Sequence, residues 1–517
     1  MASEIENQNP SVDPHTTTFG RYKQPVIAGL IGTTLVSLAA SLPGSPFAFK
    51  VPGAWFFGTP PPYPSQGIAH ARGFALFAVL ACGFIGVVLL CRSWQAIVRN
   101  VARQPLGETL SLKWILALWS APLLVAPPMF SNDIYSYAAQ GEMVSHHISP
   151  YLYGPGILGA TPFASLANGV WINTPSLYGP LFSGLEGGIV NVAGHRALVS
   201  IVLLRLLAIA GVALIAAFLP LLAQSYGKDP GLAFALAVLN PLVLLFLVGS
   251  GHNDALMIGL LVAGLSIARR GHSGWGIVVC ALAGAVKAPG LVGVFAIAWT
   301  SATGPRPMAR RSLALVGAGV ITAAIFAASS VSFGVGWEWI RSLGDSDRVK
   351  SWITPVDLVA KVLPHVGIPA SRFVDVAHIV GPVLAAVVGL WALIHLPTLG
   401  LPRALGLTLL AFVLLGPIVQ PWYLVWGIAL LSVTAGPRTA SVIISLSVSA
   451  SLLGVVGLGR LIGEFNSLGL PYQALFSLTV AAAVVVPVTT AFPRVNAVTS
   501  RHLVRWRTST LRQLQRA

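Results

Sequence analysis

Apolar stretches of about the length of a bilayer recur along this chain, and they limit its fold more than any other feature. Such stretches lie at about 25–42, 73–91, 112–129 and 197–222, and more follow between 232 and 492. A helix needs roughly 20 apolar residues to cross the hydrocarbon core of a membrane. With 55% hydrophobic and 9% charged residues, the chain is predicted to be an all-α polytopic membrane protein with about 13–14 transmembrane helices.

The net charge of +16 does not indicate a nucleic-acid partner. The basic residues occur in short clusters between apolar stretches, such as Arg269-Arg270 and Arg310-Arg311, and this is the pattern of cytoplasmic loops. If the spans alternate, these clusters share one side with both termini, and most acidic residues lie on the other side. We therefore predict a multi-pass plasma-membrane protein with both termini in the cytoplasm and no binding to nucleic acid.

One membrane domain accounts for most of the chain. Residues 25–493 are predicted to form this domain, between a cytoplasmic tail at 1–24 and a basic cytoplasmic tail at 494–517. Basic tails of this kind are attracted to anionic membrane lipids. Two loops on the outer side are long, at about 130–196 and 334–373, and they are the places where a site could be built outside the membrane.

The stretch at 275–299 is unusual, because a single pass there would put one flanking basic cluster on the wrong side. Pro289 breaks helical hydrogen bonding, and broken backbone at membrane depth is tolerated only inside protein or beside a wet cavity. We predict two short helices that form a hairpin with Lys287 at its tip. The alternative is one kinked helix whose lysine reaches an interface.

Asp133 is the first candidate functional residue, since it is a carboxylate placed where an apolar stretch ends and the first outer loop begins. It lies in the segment Ser131-Asn132-Asp133-Ile134-Tyr135, and residues 137–147 after it can form a helix along the membrane surface. An ordinary helix N-cap is the alternative explanation for Asp133.

Ionisable residues within the membrane are costly and therefore indicate function. Arg205 lies nine residues after Arg196, which places it roughly 13 Å deeper at 1.5 Å per residue. A guanidinium at that depth requires an anion, and a phosphate fits its forked geometry. The alternative is a buried ion pair with a carboxylate on a neighbouring helix.

Three turns on the outer side carry further candidates. Gly251-His252-Asn253-Asp254 adds an imidazole and a second carboxylate, although these are also ordinary turn residues. Gln420-Pro421-Trp422-Tyr423 and Tyr178-Gly179-Pro180 add aromatic rings that suit sugar stacking. Anchoring at the membrane interface is the alternative role for such rings.

The sequence shows no metal signature. His146 and His147 are adjacent and point in different directions on a helix, and no His-x-x-x-His or Cys-x-x-Cys spacing occurs. No dinucleotide-binding or Walker-type glycine loop is found either. We predict no cofactor and assign no metal ligand, and dependence on a divalent cation is left open.

Taken together, these motifs resemble a known family. The segment 131–142, Tyr178-Gly179-Pro180, Gly251-His252-Asn253-Asp254, Val286-Lys287-Ala288-Pro289 and Gln420-Pro421-Trp422-Tyr423 look like the actinobacterial polyprenyl-phosphomannose-dependent α-1,6-mannosyltransferases. Members have the GT-C fold and build the mannan backbone of lipomannan and lipoarabinomannan. One departure is that three spans precede the Asp133 loop here, whereas one does in the simplest GT-C enzymes.

The resemblance implies an inverting transfer of mannose from polyprenyl phosphomannose to a lipid-anchored α-1,6-mannan on the outer face. Asp133 would be the general base. Arg205 and Lys287 would bind the donor phosphate, and the Arg205 role is inferred from its depth and not from a family motif. Sugar or acceptor binding is assigned to the remaining motif residues, which are Asn132, Tyr135, Tyr178, His252, Asn253, Asp254, Gln420, Trp422 and Tyr423.

Two alternatives remain open at the level of the sequence. A GT-C enzyme that uses polyprenyl phosphoarabinose needs the same base and phosphate site. A flippase or transporter of lipid-linked saccharides also needs buried cations and aromatic rings, although transporters often show paired broken helices within internal repeats.

Overall fold

The computed structural model describes residues 18–42, 45–48, 73–104, 109–167, 171–302, 305–342 and 370–455, with the single residues 359 and 363. Within these residues the chain is helical and contains no strand. The α-helices, in chain order, are α1 Thr18–Ser41, α2 Gly73–Arg103, α3 Leu110–Val125, α4 Asp133–Ser145, α5 Pro162–Leu166, α6 Pro180–Val192, α7 Ala197–Ser225, α8 Pro230–Ala237, α9 Asp254–Arg269, α10 Ser273–Val286, α11 Leu291–Ser301, α12 Pro307–Phe333, α13 Trp339–Ser342, α14 Ala370–Ile394, α15 Leu396–Leu399, α16 Leu401–Leu415, α17 Leu424–Val433 and α18 Pro437–Gly454.

Five helices of the described part are long and apolar enough to cross a membrane, which confirms the prediction of an all-α polytopic membrane protein. These stretches are Tyr22–Ser41, Leu76–Arg103, Ala197–Ser225, Pro307–Phe333 and Phe373–Ile394. Several shorter apolar helices pack between them, α3, α10, α11, α16 and α17 among them. The apolar stretch after residue 455, the C-terminal tail, residues 1–17 of the N-terminal tail and most of the second long loop lie outside the described residues. Residues 18–24 of the predicted N-terminal tail belong to α1.

The stretch from α10 to α11 is a hairpin and not one kinked helix. A Cβ at Gly290 would lie 2.5 Å from the carbonyl carbon of Ala283, and one at Gly293 would lie 2.6 Å from Sγ of Cys280. Residues before the break therefore meet residues equally far after it, as in an antiparallel pair. The missing side chains of the two glycines allow this close approach, and Lys287 lies at the tip as predicted.

A second break lies before α9. A π-helix at Val243–Ser250 ends at Gly251, and its axis makes a bend of 116° with that of α9. Gly251 has a φ of +77°, a conformation that suits glycine, and a Cβ there would lie 2.6 Å from Cδ1 of Ile134. The turn at His252-Asn253-Asp254 is thereby packed directly against the start of α4.

The first long loop is a packed helical layer, and the helix predicted within it is present as α4. Every residue of α4 from Ile134 to Met143 is buried. The reason is tertiary packing of α4 on α6, where glycines let the backbones approach. A Cβ at Gly141 would lie 2.5 Å from the carbonyl oxygen of Glu186, and one at Gly187 would lie 2.5 Å from Cγ1 of Val144.

Glu186 is an unusual residue of this layer. Its side chain has no exposed surface, and neither carboxylate oxygen has a hydrogen bond partner among the described residues. Burial raises the pKa of the Glu186 carboxyl well above its ordinary value, because the charged form loses its hydration.

This shift predicts how stability depends on pH. A raised pKa means that the native chain loses stability as pH rises above about 4.3, the pKa of an exposed glutamate, by up to about 1.4 kcal/mol per pH unit. Glu186→Gln keeps the shape without the charge, so its melting temperature relative to the native protein should increase as pH rises. Glu186→Ala shows the same pH trend but should melt below Glu186→Gln at every pH, because it leaves a cavity. A Glu186→Gln difference that shrinks with rising pH would contradict this account.

Candidate active site

Asp133 is the first residue of α4, and its carboxylate faces the turn before α9. The N-cap position belongs to Asn132, whose side chain makes no hydrogen bond to the helix, so the interpretation of Asp133 as the cap is wrong. Oδ2 of Asp133 lies 3.4 Å from Nδ1 of His252. The Asp133 side chain keeps 15% of its surface exposed, so a substrate hydroxyl can reach it.

The Asp133 carboxylate is ionised at neutral pH. Burial raises its pKa, but the polar contact with His252 and the positive charge of Lys287 together lower it by more. The pKa of Asp133 therefore lies below its ordinary value. An ionised carboxylate can accept a proton, as a general base must.

The ring of His252 is held in place by packing against an aromatic neighbour. Its ring stacks on that of Trp422, with 3.8 Å between centroids and 20° between planes, and it has no exposed surface. Trp422 belongs to a short 3₁₀ turn at Pro421–Tyr423. The predicted turns at 251–254 and 420–423 therefore meet, and His252 holds one face of the Asp133 carboxylate.

Lys287 forms the positive part of the site. Its Nζ lies 2.9 and 3.0 Å from the two carboxylate oxygens of Asp254, which is fully buried. Oδ1 of Asp254 also accepts a hydrogen bond of 2.7 Å from Nε1 of Trp426. Asp254 accepts two of the three N–H donors that an ammonium carries, and Tyr423 is a further hydrogen-bonding neighbour of Lys287. The Lys287 side chain is 12% exposed.

Three aromatic rings surround the ammonium group. Nζ of Lys287 lies 4.5 Å from the ring centroid of Tyr423, 5.5 Å from that of Trp426 and 5.6 Å from that of Tyr178. Ring faces attract cations at these distances. Tyr178 reaches Lys287 because Gly179 packs on the tip of the hairpin, where its N–H donates to the carbonyl of Val286 at 3.1 Å.

The site has a partly exposed front and a buried back. Asp133, Lys287, Tyr178 and Tyr423 keep exposed surface, and so do Asn132 and Gln420. The buried back consists of His252, Asn253, Asp254, Trp422 and Trp426. Residues at the front can touch a substrate, and residues at the back position them.

Several buried polar atoms of this region carry unused hydrogen-bonding capacity. Within the described chain, Oδ1 of Asn132, Nδ2 of Asn253, Nε1 of Trp422 and both ring nitrogens of His252 have no hydrogen bond partner. Buried polar groups in proteins are nearly always paired. Such a concentration fits a place where a polyhydroxylated ligand completes the bonds.

The contacts of Arg205 count against its predicted role as a phosphate ligand. All five of its N–H groups are directed at backbone carbonyls, and the residue is 2% exposed. Acceptors at the end of α3 and in the π-helix share the guanidinium, namely Leu123, Leu124, Ala126, Val248 and Gly249. The expected ion pair with a carboxylate is not formed either, because carbonyl groups freed by two broken helices take its place.

Tyr135 was assigned to sugar binding, and its burial counts against this role. Its ring has no exposed surface, and its hydroxyl donates to the carbonyl of Pro128 at 3.4 Å. Two residues without an assigned role belong to the site instead. Trp426 holds Asp254, and the hydroxyl of Tyr137 donates to Oδ1 of Asn253 at 3.4 Å. Trp426 follows Trp422 and Tyr423 at the spacing of one helical turn, which is the signal that could have identified it.

Comparison with known proteins assigns the chain to a family. A family model described as Alpha-(1->6)-mannopyranosyltransferase, N-terminal domain, matches residues 26–303, and one described as MptB C-terminal domain matches residues 353–490. The chain belongs to the alpha-(1->6)-mannopyranosyltransferase family. It is therefore a glycosyltransferase, and the resemblance predicted from the motifs is confirmed.

Individual members of the alpha-(1->6)-mannopyranosyltransferase family are about equally similar to the chain. A probable alpha-(1->6)-mannopyranosyltransferase of Mycolicibacterium smegmatis is 31% identical over 412 residues, which cover 70% of this chain and 72% of the relative. Alpha-(1->6)-mannopyranosyltransferase A of Mycobacterium tuberculosis is 30% identical over 388 residues, with 72% and 74% covered. Alpha-(1->6)-mannopyranosyltransferase B of Corynebacterium glutamicum is 27% identical over 409 residues, with 72% and 65% covered. No solved structure matches the chain.

The contacts of Arg205 predict that it stabilises the fold. Arg205→Met leaves buried carbonyls unpaired at a cost of about 1–3 kcal/mol each, so the melting temperature in detergent should fall markedly. Arg196→Met, at the exposed N-cap position of the same helix α7, is the matched control and should melt like the native protein. Donor affinity of the folded fraction should change little. Native stability combined with weaker donor binding would restore Arg205 as a phosphate ligand.

Proposed function

We propose that this glycosyltransferase transfers mannose from polyprenyl phosphomannose to an α-1,6-mannan acceptor on the outer face of the plasma membrane. The observation that carries the proposal is the presence of a partly exposed, ionised Asp133 and a partly exposed Lys287 in one site. The first can accept a proton and the second can hold a phosphate. The names of the relatives support mannose as the sugar and α-(1→6) as the linkage.

The proposed reaction is a single inverting displacement. Asp133 takes the proton from the 6-hydroxyl of the acceptor while that oxygen attacks the anomeric carbon of the donor. The bond from the anomeric carbon to the phosphate oxygen breaks on the opposite face, and lipid phosphate departs. A β-linked donor thus gives an α-linked product, and no protein nucleophile takes part.

Lys287 stabilises the departing phosphate. Two of its N–H groups are held by Asp254, and the third, on the side of Tyr423, turns to a phosphate oxygen when the donor binds. The short helical turn at Ala288–Gly290 begins directly after Lys287, so its partial positive charge adds to that of the ammonium. A site at the tip of a broken hairpin also suits a donor whose lipid chain lies in the membrane.

The base assignment is tested by Asp133→Asn. We expect a loss of transfer of about 10²-fold or more, the usual contribution of a general base, with the protein still folded in membranes. Asp229→Asn is the matched control, because Asp229 caps α8 and an asparagine keeps that cap. Labelled polyprenyl phosphomannose and a short α-1,6-mannoside are incubated with the membranes, and product linkage is determined. Near-native transfer by Asp133→Asn would rule out the base.

The same assay decides the sugar. Polyprenyl phosphoarabinose, offered in place of the mannose donor, tests the arabinosyltransferase alternative. We expect product from the mannose donor only. Arabinose transfer in its place would leave the base and phosphate site intact and change the proposed substrate.

The positioning of Lys287 by Asp254 is tested by a double-mutant cycle. Lys287→Met leaves the buried Asp254 charge unpaired, at a cost of about 3–5 kcal/mol in stability. Combining it with Asp254→Asn should restore much of the melting temperature, because no lone charge remains. Transfer should stay low in the double variant, since the phosphate ligand is still absent. Recovery of transfer together with stability would show that the pair is only structural.

A further inference from the structure

A second cluster of chemically active side chains lies at the far end of α4, outside the site described above. It consists of Glu142, His146 and His195, and we refer to it as the Glu-His-His cluster. Glu142 lies nine residues after Asp133, or roughly 13 Å along the helix at 1.5 Å per residue. The cluster therefore does not touch the reacting atoms.

We propose that the Glu-His-His cluster binds one divalent transition-metal ion, with Zn²⁺ as the expected ion. Glu142 and His146 are four residues apart and share one face of α4. His195 comes from the turn between α6 and α7, so three ligands from two parts of the chain converge. The sequence alone does not reveal this convergence. The partner of His146 is Glu142 and not the adjacent His147, and the third ligand, His195, is distant in the chain.

The separations of the ligand atoms suit a small ion. Nε2 of His146 lies 3.1 Å from Oε1 of Glu142, and Nδ1 of His195 lies 2.8 Å from Oε2 of the same carboxylate. One ligand atom from each residue lies within 4.8 Å of the others. Tetrahedral zinc ligands at about 2.0–2.2 Å from the ion are a little more than 3 Å apart, so the three side chains need only small movements.

The exposed fractions of the three side chains are those of a site open to solvent. The Glu142 side chain is 10% exposed, whereas those of His146 and His195 are 55% and 44% exposed. The carboxylate anchors the site in the protein, and the imidazoles lie where an ion can enter. Three protein ligands leave a fourth position for water.

The ligand types select the class of metal. Two imidazoles and one carboxylate favour zinc and its neighbours in the first transition row, whereas calcium and magnesium prefer all-oxygen sites. The cysteines Cys82, Cys91 and Cys280 lie in other parts of the molecule, so the cluster has no thiolate. Without a metal, the same contacts are hydrogen bonds from two histidines to one carboxylate, which is the competing explanation.

The backbone of His195 is consistent with a placed ligand. His195 has a φ of +56°, in the left-handed region that residues other than glycine rarely adopt. Its N–H donates to the carbonyl of Val190 at 3.1 Å, which turns the chain back toward α4. An ion held here would join the end of α4 to the corner between α6 and α7. Its role would be to rigidify the layer that carries Asp133, not to take part in the transfer.

The test is direct metal binding by the full chain, purified in detergent with a tag that contains no histidine. After chelator treatment, the protein is equilibrated with micromolar Zn²⁺, desalted and measured by mass spectrometry of metals. We expect about one zinc ion per chain, as for a single site. Co²⁺ offered as a spectroscopic probe should give the visible absorption of a tetrahedral centre.

The variants are chosen so that loss of binding is not confused with misfolding. Glu142→Gln, His146→Asn and His195→Asn should each weaken zinc binding at least about 10-fold, since each removes a ligand. Asparagine tolerates the left-handed backbone of His195. His147→Asn is the matched control, because His147 is exposed, adjacent, and has a φ of +58°.

Elution as a single peak in size exclusion confirms that each variant is folded. The site is supported if His147→Asn keeps native zinc binding and a zinc-dependent rise in melting temperature. The other three variants should lose both. Zinc content far below one ion per chain would overturn the proposal. Equal loss in His147→Asn and His195→Asn would also overturn it and would indicate an adventitious ion only.

Discussion

The interaction on which the site depends is the sharing of one guanidinium by two interrupted helices. Arg205 donates to carbonyls at the end of α3 and in the last turn of the π-helix before α9. A membrane interior has no water to satisfy such carbonyls. The two chain segments that leave these ends carry Asp133 and His252. Arg205 therefore fixes where the base and its neighbour meet, although it touches neither.

The site itself is assembled from chain breaks. Asp133 follows the end of α3, His252 and Asp254 occupy the turn before α9, and Lys287 lies at the tip of the hairpin of α10 and α11. Irregular backbone of this kind is expensive within a membrane and is tolerated where it is buried or lines a polar cavity. Because the breaks are packed on one another, some of their polar groups pair, as Lys287 and Asp254 do, while Asp133 and Lys287 keep part of their surface exposed.

The packed layer of α4 and α6 gives Asp133, the proposed base, a rigid support. Asp133 lies at one end of α4, and the Glu-His-His cluster lies at the other end. Close contact between the backbones at Gly141 and Gly187 joins the helices between these points. A general base must be held within hydrogen-bonding reach of its proton, and a helix buried along its length holds it better than a loop at the membrane surface.

The sequence by itself determined the class of protein and most of the site. The length of the apolar stretches and the placement of the charges indicated a helical membrane protein. Pro289 and the flanking basic clusters indicated the broken hairpin at Lys287. Motif order predicted that Asp133, His252, Asp254, Lys287 and Tyr423 belong together. These features depend on local chemistry and on the bilayer, and both can be recognised along a linear chain.

Only the tertiary structure decided which partner each buried group takes. The predicted depth of Arg205 in the membrane made it a candidate phosphate ligand. Its hydrogen bond acceptors instead come from residues about 80 and 40 positions away in the chain. Burial removed Tyr135 from the site, and packing brought Trp426 to Asp254 and His195 to Glu142. Contacts between distant residues arise from helix packing, and no periodicity or spacing in the sequence records them.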